Sequence, residues 1–226
     1  MRNHAVWIPV VFIVGLLAAA ALSSPSGMDA DPACLLVEPV ICRSSDGKGP
    51  AIARIDRKAI ESVYAQANVH IVWLQSRYLD HTGARDGILN VDEVVKIGLA
   101  RGLWGTGVPR LSLVFVNAIN GKKGPRGLGM SPGSLCFVAM PKAATNPAME
   151  VFVVAHEMGH CLGLIHAVDD PKVSSDKASI MGEGEYSERI GKNALMPAHI
   201  RRIRQSALLL WSRSTSSSPS RSRRKE

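Results

Sequence analysis

The chain carries little net charge outside its C-terminal end. Its formal charge is +8 over 226 residues, but residues 201–226 hold eight lysines and arginines against a single glutamate. The preceding part of the chain is therefore nearly neutral, although the pI is about 9.6. A high pI that comes from one tail does not indicate a nucleic-acid-binding surface on the domain. We expect no specific nucleic-acid partner.

One apolar run, at residues 5–22, is long enough to suggest export or membrane attachment. It follows Arg2 and His4, and it contains small residues at 18–21, which is typical of a secretory signal peptide cleaved near residues 21–24. The run is also near the lower length limit of a membrane span, so an uncleaved signal anchor is the alternative. In both cases we expect the rest of the chain to be secreted or extracytoplasmic.

The residues that carry recognisable chemistry form the pattern H-E-x-x-H-x-x-G-x-x-H, at His156, Glu157, His160, Gly163 and His166. Two histidines four residues apart lie on one face of a helix and can bind one zinc ion. The adjacent glutamate can take a proton from water. The glycine permits the left-handed turn that ends a helix, so the third histidine can return as a ligand. Three protein ligands leave the fourth position open, as in catalytic zinc sites. A helix with surface histidines explains neither the glycine nor the third histidine.

This segment resembles the zinc-binding consensus of the metzincin metallopeptidases, which also have a methionine-containing turn after the third histidine. Ser179–Gly182 fits that turn, and the resemblance makes Met181 the hydrophobic floor beneath the metal. By the order of its elements the resemblance covers about residues 50–212. It implies an α+β zincin fold: a twisted, mostly parallel sheet with an antiparallel edge strand, a backing helix, a zinc-binding active-site helix and a small C-terminal subdomain ending in a helix. Tyr186 is five residues after the methionine, too far for the tyrosine role known in some members.

The four cysteines all lie beyond the apolar run, and an even number is typical of exported, disulfide-bonded chains. We expect Cys34–Cys42 to close a short surface loop and Cys136–Cys161 to tie a strand to the zinc helix. Three connectivities are open to four cysteines, and free buried thiols are the alternative. Cys161 points about 100° away from the preceding histidine on the helix and is not expected to bind zinc.

Hydrophobic periodicity predicts helices and strands in a consistent order. The predicted elements are a helix at 57–67, strands at 69–74, 111–116, 126–130 and 134–140, the zinc helix from 146–147 onward, and a last helix at 197–211. In the resembling family the edge strand pairs with an extended substrate, which makes Gly127, Leu128 and Gly129 predicted substrate-binding residues; an ordinary edge strand is the alternative. His70, within a strand, is not expected to be a ligand.

A second possible cation site is weaker. Asp86–Glu93 matches the closing half of a calcium loop, but Thr82 and Ala84 stand where the first ligands are needed. Asn90, with a glutamate three residues later, instead predicts a capped helix running to about Leu103. We therefore expect one catalytic Zn²⁺, and a calcium site is the less favoured alternative.

The sequence as a whole predicts an exported zinc-dependent metallopeptidase, an endopeptidase acting on proteins or peptides, with Glu157 as general base. A non-catalytic zinc-binding or polyanion-binding extracytoplasmic module is the alternative. The predicted organisation is a signal peptide or anchor at 1–24, a linker and short N-terminal segment at 25–50, a catalytic domain at 51–212 and a disordered basic Ser/Arg-rich tail at 213–226. We expect a monomer that touches a membrane only through an uncleaved anchor.

Overall fold

The computed structural model describes the chain in separate stretches. These are residues 31–43, 55–80, 88–89, 92–93, 96, 109–116, 118–119, 127–129, 133–140, 147–167, 169–170, 179–182 and 194–211. The predicted signal segment, the basic tail and Tyr186 lie outside them. Within these stretches, no helix is both long enough and apolar enough to cross a bilayer.

A mostly parallel sheet is organised around its central strand β1, Ala33–Arg43. Along one side, β2 (Val69–Trp73) and β3 (Arg77–Asp80) pair in parallel with the first and second halves of β1. Along the other side, β9 (Leu209–Trp211) pairs antiparallel with the start of β1, and β5 (Leu111–Val116) pairs in parallel with its middle. The predicted mostly parallel sheet is confirmed.

The sheet continues from β5 to its far edge through two more strands. β8 (Leu135–Ala139) pairs in parallel with β5, and β7 (Gly127–Gly129) pairs antiparallel with β8. A separate parallel pair is formed by β4 (Ile88–Leu89) and β6 (Ala118–Ile119). Within the described stretches β7 is thus the last strand on this side of the sheet.

Burial on both faces of the sheet explains why β8 is apolar throughout and β5 is apolar except at Ser112. Leu113 and Phe115 belong to the main core, whereas Val114 and Val116 belong to a second cluster on the opposite face. Alternate residues of a strand point to opposite faces, so a strand covered on both sides is apolar at every position. The main core also contains residues of three helices and lies on the face that carries the candidate site.

Three helices are described with both ends. α1 spans Arg57–Ala65 and is capped by the side chain of Asp56, which accepts a hydrogen bond from Ala59 N at 3.1 Å. α2 spans Pro147–Cys161 and α3 spans Pro197–Ile203, each beginning with a proline that has no N–H to satisfy. α1 and α2 start at the predicted residues, and α1 ends two residues before its predicted end. The described residues of the predicted capped helix, 92–93 and 96, are helical.

The N-terminal segment contributes more than predicted. Residues 25–50, predicted as a linker and short N-terminal segment, contain the eleven-residue central strand, so the sheet begins at Ala33. Pro39 interrupts the strand signal because it offers no N–H to a ladder. In the structure Pro39 falls between the residues paired with β2, which end at Val37, and those paired with β3, which begin at Val40. A proline is tolerated there because neither β2 nor β3 pairs with it.

The C-terminal end also differs from the prediction. The last helix stops at Ile203, and residues 209–211 form β9 on β1. The described chain therefore ends in a strand of the main sheet, not in a helix. The apolar residues from 207 onward fit a helix by spacing, but pairing with the central strand decides their conformation, as tertiary context often does.

The predicted disulfides are absent, and all four cysteines are free thiols. Cys34 and Cys42 lie eight residues apart on β1, a separation of about 26 Å along a strand. A disulfide needs the two Cα atoms within about 7 Å, so that pairing is wrong. Cys136 and Cys161 are neighbours, as predicted, and the Cys161 thiol donates a hydrogen bond to Leu135 O at 3.2 Å. Burial raises the pKa of the Cys136 thiol well above its ordinary value.

Candidate metal centre

The three histidines of the motif converge through the same ring atom. His156 and His160 lie one turn apart on α2, and their Nε2 atoms are 3.2 Å apart. The Nε2 atom of His166 lies 3.3 Å from that of His156. No other group of three potential metal ligands occurs in the described part of the chain. The structure thus brings together the three predicted ligands and keeps His70 apart from them, exposed on β2.

The turn that returns His166 to the site depends on Gly163. Its φ of +89° is in the left-handed region that favours glycine. Gly163 N donates to His160 O at 2.9 Å, and Leu164 N donates to Gly159 O at 2.9 Å. These two bonds form a Schellman motif, which ends α2 and redirects the chain within one turn.

Backbone carbonyls determine which nitrogen of two of these histidines is available. Nδ1 of His156 lies 2.8 Å from Ile180 O, and Nδ1 of His160 lies 2.9 Å from Leu164 O. A carbonyl oxygen only accepts, so each Nδ1 carries the hydrogen and each Nε2 presents its lone pair. Burial lowers the pKa of His160, which keeps its ring neutral, while the bond to Leu164 opposes that shift. Converging imidazole Nε2 atoms fit a zinc ion, and carbonyl partners on Nδ1 are the usual support for such ligands.

Glu157 is buried beside the histidines and is tied to the edge strand. It is 5% exposed, and its Oε2 accepts a hydrogen bond from Gly129 N at 2.7 Å. Burial raises the pKa of Glu157 from 4.5 to about 7, and the hydrogen bond from Gly129 opposes the shift. A carboxyl group that titrates near neutrality can both take up and release a proton under ordinary conditions. The predicted general base therefore has the environment that this role requires.

Met181 lies beneath the zinc helix. It is fully buried, and a Cβ built on Gly159 of α2 would lie 3.0 Å from its sulfur. The four-residue turn is closed by Gly182 N, which donates to Ser179 O at 3.1 Å. Ala167 N donates to the carbonyl of Met181 at 2.8 Å, which joins this turn to the segment that carries the third histidine.

Sequence reasoning missed several groups that support the site. Tyr64 of α1 is buried, and its hydroxyl donates to Ala155 O of α2 at 2.7 Å. Asp170 is also buried, and it accepts a hydrogen bond from Arg202 Nη1 of α3 at 2.7 Å. The two adjacent aspartates after the last histidine, Asp169 and Asp170, are the one sequence signal for this second contact. Arg202 lies 32 residues from Asp170, beyond any local pattern.

The second predicted cation site is mostly outside the described residues. Of the stretch Asp86–Glu93, residues 88–89 form β4 and Asp92 and Glu93 are helical, and the remaining residues lie outside the described part. The described part therefore agrees with the capped helix.

Comparison with known proteins identifies the fold. No family model and no curated protein matches this sequence. Among solved structures, the chain is similar to archaemetzincin from Methanopyrus kandleri, with a TM-score of 0.50 and 15% identity over 75% of this chain and 93% of that one. It is also similar to mirolysin in complex with a compound, with a TM-score of 0.51 and 13% identity over 77% of this chain and 91% of that one. The predicted resemblance to metzincin zinc metallopeptidases is confirmed at the level of the fold.

Proposed function

We propose that this protein, which has a metzincin-like fold, is a zinc-dependent peptidase. The observation that carries the proposal is the convergence of three Nε2 atoms next to a buried carboxyl group whose pKa lies near 7. His156, His160 and His166 would hold the zinc ion, and Glu157 would act as general base. The likeness in fold supports the proposal, since zinc peptidases with this fold are known.

The reaction is the addition of water to a peptide carbonyl. A zinc ion supplies Lewis acidity at such a site. Glu157 removes a proton from the attacking water as the oxygen bonds to the carbonyl carbon. When the C–N bond breaks, Glu157 returns the proton to the leaving amine nitrogen, so the carboxylate is regenerated. The burial that raises the pKa of Glu157 makes it a stronger base for taking the proton from water.

The proposed substrate is a protein or peptide bound in extended form along β7. Edge strands present backbone donors and acceptors that can pair with another chain. Gly127, Leu128 and Gly129 would supply these groups. A chain that lies along an open edge passes the site in both directions, which favours cleavage within a polypeptide, as in an endopeptidase.

Replacement of Glu157 by alanine tests the assignment directly. The three histidines are untouched, so we expect zinc content to stay at one ion per chain by metal analysis. Hydrolysis of labelled casein should fall by about 10²–10⁴-fold because the proton acceptor is lost. His166→Ala is the matched control, and it should lose both zinc and hydrolysis. A Glu157→Ala protein that cleaves casein as fast as the parent would remove Glu157 from the mechanism.

We also propose that the protein acts outside the cytoplasm, either secreted or held by its N-terminal segment. The apolar run at 5–22 after Arg2 and His4 supports this. The test is N-terminal sequencing of protein recovered from the medium, the envelope and the cytoplasm of the expressing cell. A new N-terminus near residues 21–24 in the exported fraction is expected, whereas intact protein confined to the cytoplasm contradicts export.

A further inference from the structure

We infer that Gly127 and Gly129 are positioning residues for Glu157, because β7 holds the carboxyl group of the proposed base in place. The expected effect on the reaction rate rests on the proposed function. The contact between β7 and the side chain of Glu157 does not depend on that proposal. It assigns the two glycines a role within the free protein, separate from any pairing with substrate.

The backbone of β7 lies directly against the side chain of Glu157. A Cβ built on Gly127 would lie 2.5 Å from both Cδ and Oε1 of Glu157. A Cβ built on Gly129 would lie 2.7 Å from the Cβ of His160 and would also overlap the carbonyl oxygen of Glu157. Real side chains do not approach this closely, so only glycine allows the observed contact at either position.

The orientation of β7 is determined by its other contacts. Gly127 and Gly129 are two residues apart and share one face of the strand, towards α2. Leu128 points the opposite way and packs against the second core cluster. The register partners of the glycines on β8 are Val138 and Cys136, both members of the main core beneath α2. The strand is thus anchored by Leu128 and β8, and it meets α2 with backbone alone.

The helix cannot hold the carboxyl group of Glu157 by itself. A glutamate side chain has three rotatable bonds, and α2 determines only the start of that side chain. The hydrogen bond from Gly129 N to Oε2 at 2.7 Å fixes the far end, and the Cα of Gly127 closes the space beside it. Position and orientation of a proton acceptor strongly affect rate, so a shift of β7 should slow the reaction while the histidines still bind zinc.

Gly127→Ala and Gly129→Ala in the full-length, zinc-loaded protein test the inference. For Gly127→Ala we expect zinc content to stay at one ion per chain. The kcat on labelled casein should fall at least about tenfold, with a smaller change in KM. The Tm should fall by at least about 4 °C. The cause is specific: the added methyl group meets the side chain of Glu157. The loss in Tm should therefore disappear when Gly127→Ala is combined with Glu157→Ala, which removes the colliding atoms.

Gly129→Ala is the matched control in the same strand. Its added methyl group meets the backbone oxygen of residue 157 and the Cβ of His160, and both remain in the Glu157→Ala protein. Most of its loss in Tm should therefore persist in that background. The contrast between the two double mutants separates a contact with the Glu157 side chain from a general need for glycine in β7.

Two outcomes would overturn the inference. One is an unchanged kcat with a raised KM in Gly127→Ala, which would leave β7 a substrate-binding strand only. The other is a loss in Tm on Gly127→Ala that is the same in the parent and in the Glu157→Ala background. Failure of the proposed function is recognised separately, because it would show as no hydrolysis by the parent protein. The Tm comparison does not depend on hydrolysis, so it tests the contact between Gly127 and Glu157 whether or not the protein is a peptidase.

Discussion

The buried carboxyl group of Glu157 should make the metal-free protein lose stability as pH rises, and Glu157→Gln should abolish that loss. Glutamine has nearly the same shape and can accept the hydrogen bond from Gly129 N, but it has no charge to bury. The comparison is made with an excess of chelator, so that only the protein's own groups determine the result.

The magnitude follows from the pKa of Glu157 in the folded chain. Burial raises that pKa from 4.5 to about 7. At about 1.4 kcal/mol per pKa unit the difference corresponds to about 3 kcal/mol. For a protein of this size that is a change in Tm of about 6–12 °C.

The direction follows from which state binds the proton more tightly. Between pH 4.5 and about 7 the folded chain keeps a proton on Glu157 that the unfolded chain has released. The stabilisation is fully present below pH 4.5, falls as pH rises and is lost above about 7. Relative to the parent, Glu157→Gln should therefore gain about 3 kcal/mol between pH 4.5 and 8.

Urea unfolding of both proteins at pH 4.5, 6 and 8 measures this difference. Other titrating groups cancel because they are common to the two proteins. A difference in unfolding free energy that is the same at all three pH values would refute the buried, neutral Glu157. With zinc bound the advantage of glutamine should shrink, because a cation beside the carboxylate favours its charged form.

Two further substitutions test the contacts that hold α2 and the segment after it. Tyr64→Phe removes the hydroxyl that donates to Ala155 O, and it should lower the unfolding free energy by about 1 kcal/mol in urea titrations; an unchanged midpoint would show that the bond contributes nothing. Asp170→Asn removes the buried carboxylate from Arg202 and should lower the free energy of unfolding by about 2–4 kcal/mol. Asp80→Asn is the control, because it breaks an exposed ion pair with Arg43 and should lower the free energy of unfolding by less than about 1 kcal/mol. Equal losses in the two aspartate variants would contradict the difference in burial.

The parts of the site that lie within one helix and its terminal turn could be predicted from the sequence. Helical periodicity determines that His156 and His160 share a face, and the conformational freedom of Gly163 accounts for the return of His166. These relations need only a few neighbouring residues, so local geometry is sufficient. The strands β5 and β8 were predicted for the same reason, since an apolar run is a local signal.

The structural support of the site could not be predicted, because it joins residues far apart in the chain. Gly129 and Glu157 are 28 residues apart, and His156 and Ile180 are 24 apart. Every residue type has a backbone carbonyl, so the sequence does not show which histidines donate a hydrogen bond to one. The sequence therefore cannot predict which ring nitrogen of each histidine is available to a metal. The glycines of β7 were predicted to bind substrate, but the sequence did not reveal that the side chain of Glu157 lies against them.

The same distinction applies to the fold. The sequence by itself determined the zinc-binding pattern, the helix that carries it and the apolar strands, because each depends on periodicity over a few turns or pleats. Only the tertiary structure decided that residues 33–43 form the central strand, that residues 209–211 pair with it, and that the cysteines are free thiols. Strand pairing and the distance between side chains depend on where the chain returns in space, and no local propensity specifies that.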